Sequence, residues 1–230
     1  MTTSTISRPR FKSKSTVVYL IAIVVFQVDF FFLLSRQLPD GRRYGGQFQY
    51  LTNLGVTASY LTVILGFFAN LTGSIELLLV KNRILLVSCP VEVLISVLYG
   101  GLCLIDRSLV VPNDLTVFLP VYIDFGLHGF PAIALLIDYL AYSPNWEINN
   151  INAFTIYATA GVGYWLWVHE VYRHNKVFPY PLLDLTTKYQ RATIFIASIL
   201  VLFVVFFLLR QVHEFLRLAR KPTLESKKVD

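Results

Sequence analysis

The chain has few cysteines and few charged residues, and it contains no long polar stretch. Only 15% of its 230 residues are charged, whereas a soluble globular chain carries about 25%. The two cysteines, Cys89 and Cys103, lie in one apolar segment, which excludes a disulfide framework. Because no polar stretch is long enough to form its own core, a separate soluble domain is also excluded.

Apolar residues, by contrast, make up 55% of the chain, and the mean hydropathy is +0.59. These values indicate an integral membrane protein. The net charge of +6 does not indicate a nucleic-acid partner, because the basic residues cluster at the ends of apolar segments. The sequence contains no internal repeat and no low-complexity tract.

Six apolar segments are long enough to cross a bilayer, which takes about 20 residues of helix. They cover residues 16–35, 50–71, 84–105, 115–141, 151–172 and 191–213. The sequence therefore predicts an all-α, polytopic membrane protein with a bundle of six transmembrane helices over residues 16–215. Residues 1–15 and 216–230 are predicted to be basic cytosolic segments.

The basic residues favour a cytosolic position for both termini. Arg8, Arg10, Lys12 and Lys14 precede the first segment, and the basic tail ends in Lys227-Lys228-Val229-Asp230. A cytosolic dilysine pattern of this kind is read by a retrieval coat, which predicts residence in the endoplasmic reticulum membrane. The alternative is a solvated basic tail with no partner.

Four acidic residues lie inside the predicted spans, where an ionisable group is costly and usually has a partner or a function. They are Asp29, Glu92, Asp124 and Asp138. We expect Asp138 to pair with Lys81 or Arg83, and Glu92 to form a hydrogen bond between helices. For Asp29, two roles stay open: lining a cavity or pairing with a basic loop residue.

His128 lies near the middle of the fourth segment, with Asp124 one helical turn before it. Residues at i and i+4 share a helix face, so the carboxylate can orient the imidazole as a base. Gly126, Gly129 and Pro131 predict a bend here, and irregular backbone at this depth is tolerated mainly where it lines a cavity. We therefore expect a functional role for His128; a hydrogen bond to a neighbouring helix is the alternative.

The other three histidines do not indicate a metal or haem site. His169 and His174 lie at one end of the fifth segment, and His213 lies at the opposite end of the sixth. Ligands of a single site must converge at one depth. We therefore predict no metal and no cofactor.

An ordered set of motifs extends over most of the chain, from about residue 42 to residue 215. The set comprises Gly45-Gly46-Gln47-Phe48-Gln49-Tyr50-Leu51-Thr52-Asn53-Leu54, the His128 segment, Trp165-Leu166-Trp167-Val168-His169 and Val177-Phe178-Pro179-Tyr180-Pro181. In this order the motifs resemble the androgen-induced protein family, which includes the androgen-dependent TFPI-regulating protein. The resemblance implies a membrane threonine hydrolase that cleaves fatty acid esters of hydroxy fatty acids. It assigns Thr52 as nucleophile and His128 as base.

The residues themselves are compatible with this chemistry, because a threonine hydroxyl becomes a nucleophile when a base takes its proton. However, at about 1.5 Å per residue, Thr52 lies roughly 12 Å from the middle of its span, whereas His128 is near the middle of its own. Thr57, Ser59 and Thr62 therefore remain alternative nucleophiles. The candidates for an oxyanion donor are Asn53 and the backbone amides near Gly126 and Gly129.

Two other functions remain open beside the hydrolase. A proton-coupled transporter would use Asp29, Glu92, Asp124 and His128 as a relay, although the chain lacks the repeated halves of many transporters. A non-catalytic membrane scaffold would need none of these residues. The expected partners are a lipid ester substrate, membrane lipids and a retrieval coat at Lys227 and Lys228, with no nucleic acid.

Overall fold

A computed structural model describes residues 13–35, 43–111 and 119–220. Within these ranges the protein is all-helical and has no strand. Its α-helices are α1 (Ser13–Ser35), α2 (Leu51–Thr72), α3 (Ile75–Asp106), α4 (Val121–His128), α5 (Phe130–Ile137), α6 (Asn150–Asn175), α7 (Pro181–Asp184) and α8 (Lys188–Arg220). Two 3-10 helices cover Gly46–Gln49 and Arg107–Leu109, and a π-helix, Asp138–Tyr142, continues α5.

The turn between α2 and α3 shows how local sequence sets the helix ends. Gly73 ends α2 in the left-handed conformation, with φ of 68°, which glycine adopts without steric cost. The Ser74 hydroxyl then accepts a hydrogen bond from the Leu77 amide at 3.2 Å and caps the start of α3. This short connection makes α2 and α3 antiparallel neighbours.

Helix α3 is the central element of the bundle and packs against α2, α5 and α8. Helix α1 covers α2 and α4, while α6 packs against α8. The core contains large side chains from several helices, among them Phe26, Val56, Leu85, Leu135 and Phe206. We call the end of the bundle where α2 begins the Thr52 end, and the end where α3 begins the Lys81 end.

The outer surface of the bundle is apolar, as a membrane location requires. The exposed apolar residues on α1 include Val17, Ile21, Val24, Val28 and Phe31. They follow one another at helical spacing and form a continuous apolar face. Such a face is unfavourable in water and is compatible with lipid contact.

Four helices, α1, α2, α3 and α8, are long and apolar enough to cross a membrane. The pair α4 and α5, together with the π-helix, passes the same criterion as one span that bends by 45°. Helix α6 has 26 residues, but its Trp, Tyr, Thr and Gly residues keep its mean hydropathy too low for it to join this set. The described residues thus form a multi-pass membrane protein with four to five candidate spans.

The predicted bend in the fourth segment is confirmed, because the helix breaks at Gly129. The third predicted segment, 84–105, lies inside α3, which begins nine residues earlier at Ile75 and contains the fully buried Lys81. Lys81 can lie inside the bundle because an acidic side chain neutralises its charge there, as described below. The predicted domain boundary at residue 215 falls inside α8, which ends at Arg220. The dilysine pattern lies outside the described residues.

Candidate active site

Thr52 is the second residue of α2 and is largely buried, with 8% of its surface exposed. The 3-10 helix before it starts after Gly45, whose φ is 85°. The Asn53 side chain fixes this turn to the helix, since its amide nitrogen donates to the Gln47 carbonyl at 2.8 Å. The same nitrogen also donates to Oε1 of Gln47 at 3.2 Å, so Asn53 serves as a structural donor within the turn and does not line the cavity described below; its role as an oxyanion donor stays a prediction.

Two tyrosine hydroxyls lie beside Thr52. The Tyr180 hydroxyl accepts a hydrogen bond from the Leu51 amide at 2.9 Å and also contacts the side chain and amide of Thr52. The Tyr164 hydroxyl donates to the Gln49 carbonyl at 3.0 Å. Burial raises the pKa of Tyr180 above its ordinary value, so this phenol keeps its proton.

Thr52, Tyr164 and Tyr180 line an apolar cavity of about 180 Å³. Its walls come from α3, α6 and α8, and they include Leu94, Leu98, Leu102, Gly161, Phe195 and Leu202. Along α8 the lining extends from Ile194 to Leu202, which corresponds to about 12 Å of helix. The cavity is thus an elongated apolar space with a cluster of hydroxyls at the Thr52 end.

Of the four hydroxyl residues proposed on α2, only Thr52 lines this cavity. The Thr57 hydroxyl donates to the Asn53 carbonyl at 2.6 Å, on the exposed side of the helix. Ser59 donates to Glu92 at 2.9 Å, and Thr62 donates to the Ala58 carbonyl at 2.8 Å; both are fully buried. Access to the cavity therefore distinguishes Thr52 from its alternatives.

The predicted pairing of Asp124 with His128 is present in the structure. Nδ1 of His128 lies 3.1 Å from Oδ1 of Asp124 and 3.0 Å from the Asp124 carbonyl oxygen. With Nδ1 engaged in this way, Nε2 is the nitrogen left to act as a base. The Ser96 hydroxyl donates to the His128 carbonyl at 2.6 Å and fixes the end of α4 where the helix breaks.

Tyr99 connects the His128–Asp124 pair with the cavity, although sequence reasoning did not single it out. Its ring stacks on the His128 imidazole, with centroids 3.5 Å apart and planes 5° from parallel. Its hydroxyl donates to Oδ1 of Asp124 at 2.6 Å. Tyr99 also lines the cavity, whereas His128 does not. The structure thus brings Asp124 and His128 together, but Thr52 and His128 share no direct hydrogen bond among the described residues.

The other three acidic residues of the predicted spans differ in their partners. Asp138 forms a buried ion pair with Lys81 at 2.8 Å, as predicted. Glu92 accepts the hydrogen bond from Ser59 that joins α3 to α2, also as predicted. The Asp29 carboxylate is buried against Gly126, and its Oδ2 has no hydrogen-bond partner within the described residues.

The other histidines bond to nearby carbonyls at separate places in the bundle. Nδ1 of His169 lies 2.8 Å from the Trp165 carbonyl oxygen, and Nε2 of His213 lies 3.0 Å from that of Ser143. No group of three or more His, Cys, Asp or Glu residues in the described ranges is arranged to hold a metal ion.

Comparison with known proteins places this architecture in a family. The model of the FAR-17a/AIG1-like protein family matches residues 14–214. A UPF0641 membrane protein of Schizosaccharomyces pombe is 33% identical over 174 residues, which cover 76% of this chain and 78% of the yeast protein. The androgen-induced gene 1 protein of Homo sapiens is 26% identical over 163 residues, covering 64% of this chain and 68% of the human protein. No solved structure matches the chain. The chain belongs to the FAR-17a/AIG1-like family.

Proposed function

We propose that the protein is a membrane-embedded hydrolase of lipid esters, with Thr52 as nucleophile and His128 as base. The observation that supports this most strongly is the position of Thr52 on the wall of an elongated apolar cavity. A fatty acyl chain fits such a lining, because its walls offer hydrophobic contact along most of their length. The family resemblance narrows the substrate class to fatty acid esters of hydroxy fatty acids.

In the proposed reaction, the Thr52 hydroxyl oxygen attacks the ester carbonyl carbon while its proton passes to Nε2 of His128. Asp124, bonded to Nδ1, orients the imidazole and stabilises the imidazolium that forms. The carbon–oxygen bond to the leaving group then breaks, and the hydroxy fatty acid departs with that proton. A water molecule, activated by the same imidazole, releases the acyl group from Thr52.

The stacked Tyr99 ring sets a condition for the first proton transfer. Because Tyr99 lines the cavity and His128 lies behind it, the proton reaches Nε2 only if the ring leaves the stack or a water bridges past its edge. We include Tyr99 as a positioning residue of the proposed site.

The proposed hydrolase is tested by turnover of a fatty acid ester of a hydroxy fatty acid, using purified protein in lipid nanodiscs. We expect Thr52→Ala and His128→Ala each to abolish hydrolysis. Thr57→Ala is the matched control, since it removes a hydroxyl from the same helix on its exposed side. Full activity in both the Thr52 and His128 variants would contradict the assignment.

We further propose six spans, with α6 as the fifth, both termini in the cytosol and residence in the endoplasmic reticulum. The length of α6, its packing against α8 and the basic residues at both ends of the chain support this topology. Replacing Lys227 and Lys228 with alanine should then move the protein to later compartments, as seen by fluorescence microscopy. Unchanged localisation would show that the dilysine pattern does not keep the protein in the endoplasmic reticulum.

A proton-coupled transporter is the alternative, and it is favoured by two buried carboxylates whose charge is not compensated. Oδ2 of Asp29 and Oε2 of Glu92 are buried without hydrogen-bond partners among the described residues. Such groups inside a membrane bundle are typical of proton-transfer sites. A pH-dependent flux in liposomes, with no ester turnover, would favour this alternative over the hydrolase.

A further inference from the structure

The motif Phe178-Pro179-Tyr180-Pro181 takes no part in the proton transfers between Thr52 and His128. It forms the connection between α6 and α7, and it brings Tyr180 to the start of α2. There the phenol contacts the side chain of the proposed nucleophile. This contact joins residues that are 128 positions apart in the chain.

The partners of the Tyr180 oxygen determine where its own proton points. The oxygen accepts a hydrogen bond from the Leu51 amide at 2.9 Å, and the Thr52 amide, the Thr52 side chain and the Tyr164 hydroxyl lie next to it. The two amides approach the phenol from the start of α2, while the Tyr164 hydroxyl donates its own proton to the Gln49 carbonyl. Because amides only donate, the Tyr180 proton turns away from them, and the hydroxyl can rotate it from its neighbours Thr52 and Tyr164 to an acceptor oxygen in the cavity that all three residues line.

The loop holds Tyr180 rigidly. Prolines on both sides restrict the backbone, and Phe178 is buried with its ring stacked on Tyr172 at 4.3 Å. The Phe178 amide donates to the Asp184 carboxylate at 3.2 Å, and the Arg191 guanidinium lies 4.7 Å from the Phe178 ring centre. A donor fixed in this way needs little reorganisation when charge develops next to it.

We propose that Tyr180 is the oxyanion donor of this site. The inference depends on the proposed hydrolase. As the Thr52 oxygen bonds to the ester carbonyl carbon, the electron pair of the carbonyl double bond moves to its oxygen. The Tyr180 hydroxyl donates a hydrogen bond to that oxygen and keeps its proton throughout. When the carbonyl re-forms, the leaving alkoxide departs and the hydrogen bond weakens again.

This geometry also orients the substrate. With the carbonyl oxygen at Tyr180 and the carbonyl carbon at Thr52, the acyl chain extends along the lining from Ile194 to Leu202. The amides of Leu51 and Thr52 hold Tyr180 from the other side, at the positive end of the α2 dipole. Tyr180 thereby takes the role predicted for Asn53, whose amide nitrogen donates to both the carbonyl and Oε1 of Gln47.

Steady-state kinetics of Tyr180→Phe, in full-length protein in nanodiscs, test this role. Removal of one oxyanion donor lowers kcat by about 10²–10³-fold, and we expect a fall of this size with KM changed by less than about threefold. The rate at which a fluorophosphonate probe labels the protein should fall in parallel, since its phosphoryl oxygen occupies the same position. Tyr172→Phe is the matched control and should retain wild-type rates, because it keeps the ring that stacks on Phe178.

The outcomes separate this inference from the proposed function. Labelling of the wild-type protein but not of Thr52→Ala would support the hydrolase. If Tyr180→Phe then has the kcat and the labelling rate of wild type, the role of Tyr180 is wrong and the hydrolase stands. If Tyr180→Phe raises KM alone, Tyr180 only binds substrate and the inference is overturned. If wild type neither turns over ester nor reacts with the probe, the hydrolase fails and the Tyr180 role fails with it.

Discussion

Among individual side chains, Tyr99 holds the proposed base by two different contacts. Its ring covers one face of the His128 imidazole, and its hydroxyl bonds to the carboxylate that orients the same imidazole. The first contact restricts how the imidazole can move, and the second fixes Asp124. Both contacts depend on the register of α3 against α4, because Tyr99 must lie level with the last turns of α4.

Tyr99→Phe separates these two contacts, since it removes the hydroxyl and keeps the stacked ring. A hydrogen bond to a charged group contributes about 1.5–3 kcal/mol. We therefore expect kcat for ester hydrolysis to fall roughly ten- to one-hundredfold, with a smaller change in KM. Tyr122→Phe, on the exposed side of α4, is the control and should match wild type. Equal kcat in Tyr99→Phe and wild type would show that the Asp124 contact does not support catalysis.

Between helices, close approach of α1 and α4 depends on a glycine. A Cβ added to Gly126 would lie 2.5 Å from Oδ2 of Asp29, which is shorter than any normal contact. Gly126 is also two residues from both Asp124 and His128, so the contact with α1 bears directly on the segment that carries the proposed base.

We expect Gly126→Ala to destabilise the protein by about 1–3 kcal/mol, because overpacking forces a helix or a side chain to shift. Thermal unfolding in detergent gives the measurement. Gly163→Ala is the matched control, since its Cβ would meet open space, and it should keep or slightly raise the midpoint because alanine favours a helix more than glycine does. Adding Asp29→Ala to Gly126→Ala should restore stability. If the double variant unfolds at the same midpoint as Gly126→Ala, the contact with Asp29 is not the reason why a glycine is needed at position 126.

The sequence predicts individual helices better than contacts between them. Apolar run length predicts α1, α2 and α8 to within a few residues at most ends, and Gly129 with Pro131 predicts the bend. The start of α3 is missed because the partner that neutralises Lys81 lies 57 residues away in the chain. The Tyr180–Thr52 and Tyr99–His128 contacts are missed for the same reason, since nothing local in the sequence pairs an aromatic residue with a distant polar one.

Over the whole bundle, α3 presents a polar face along its length, and the polar groups on it contact α2, α4 and the π-helix. Lys81 pairs with Asp138, Glu92 accepts from Ser59 on α2, and Tyr99 donates to Asp124 on α4. At the Lys81 end the network is most extensive, because Tyr19 and Ser143 also donate to Asp138, at 2.6 and 3.2 Å. Polar contacts of this kind fix the register of helices whose outer faces are uniformly apolar.

Breaking the Lys81–Asp138 pair should therefore destabilise the whole protein. Both side chains are buried, at 0% and 1% exposure, and removal of one partner leaves an uncompensated charge that costs about 3–5 kcal/mol. We expect Lys81→Met to lower the unfolding midpoint strongly. The double variant Lys81→Met with Asp138→Leu should be more stable than the single one. A single variant as stable as wild type would contradict a structural role for the pair.

Covalent mapping distinguishes Thr52 from every other hydroxyl in the chain. Full-length protein in nanodiscs is treated with a fluorophosphonate probe, digested and sequenced by tandem mass spectrometry. The proposed mechanism predicts a single adduct on Thr52 that forms in wild type and Thr57→Ala, and that is lost or strongly slowed in His128→Ala. An adduct on Thr57, Ser59 or Thr62, or no adduct in a protein that still hydrolyses the ester, would contradict it.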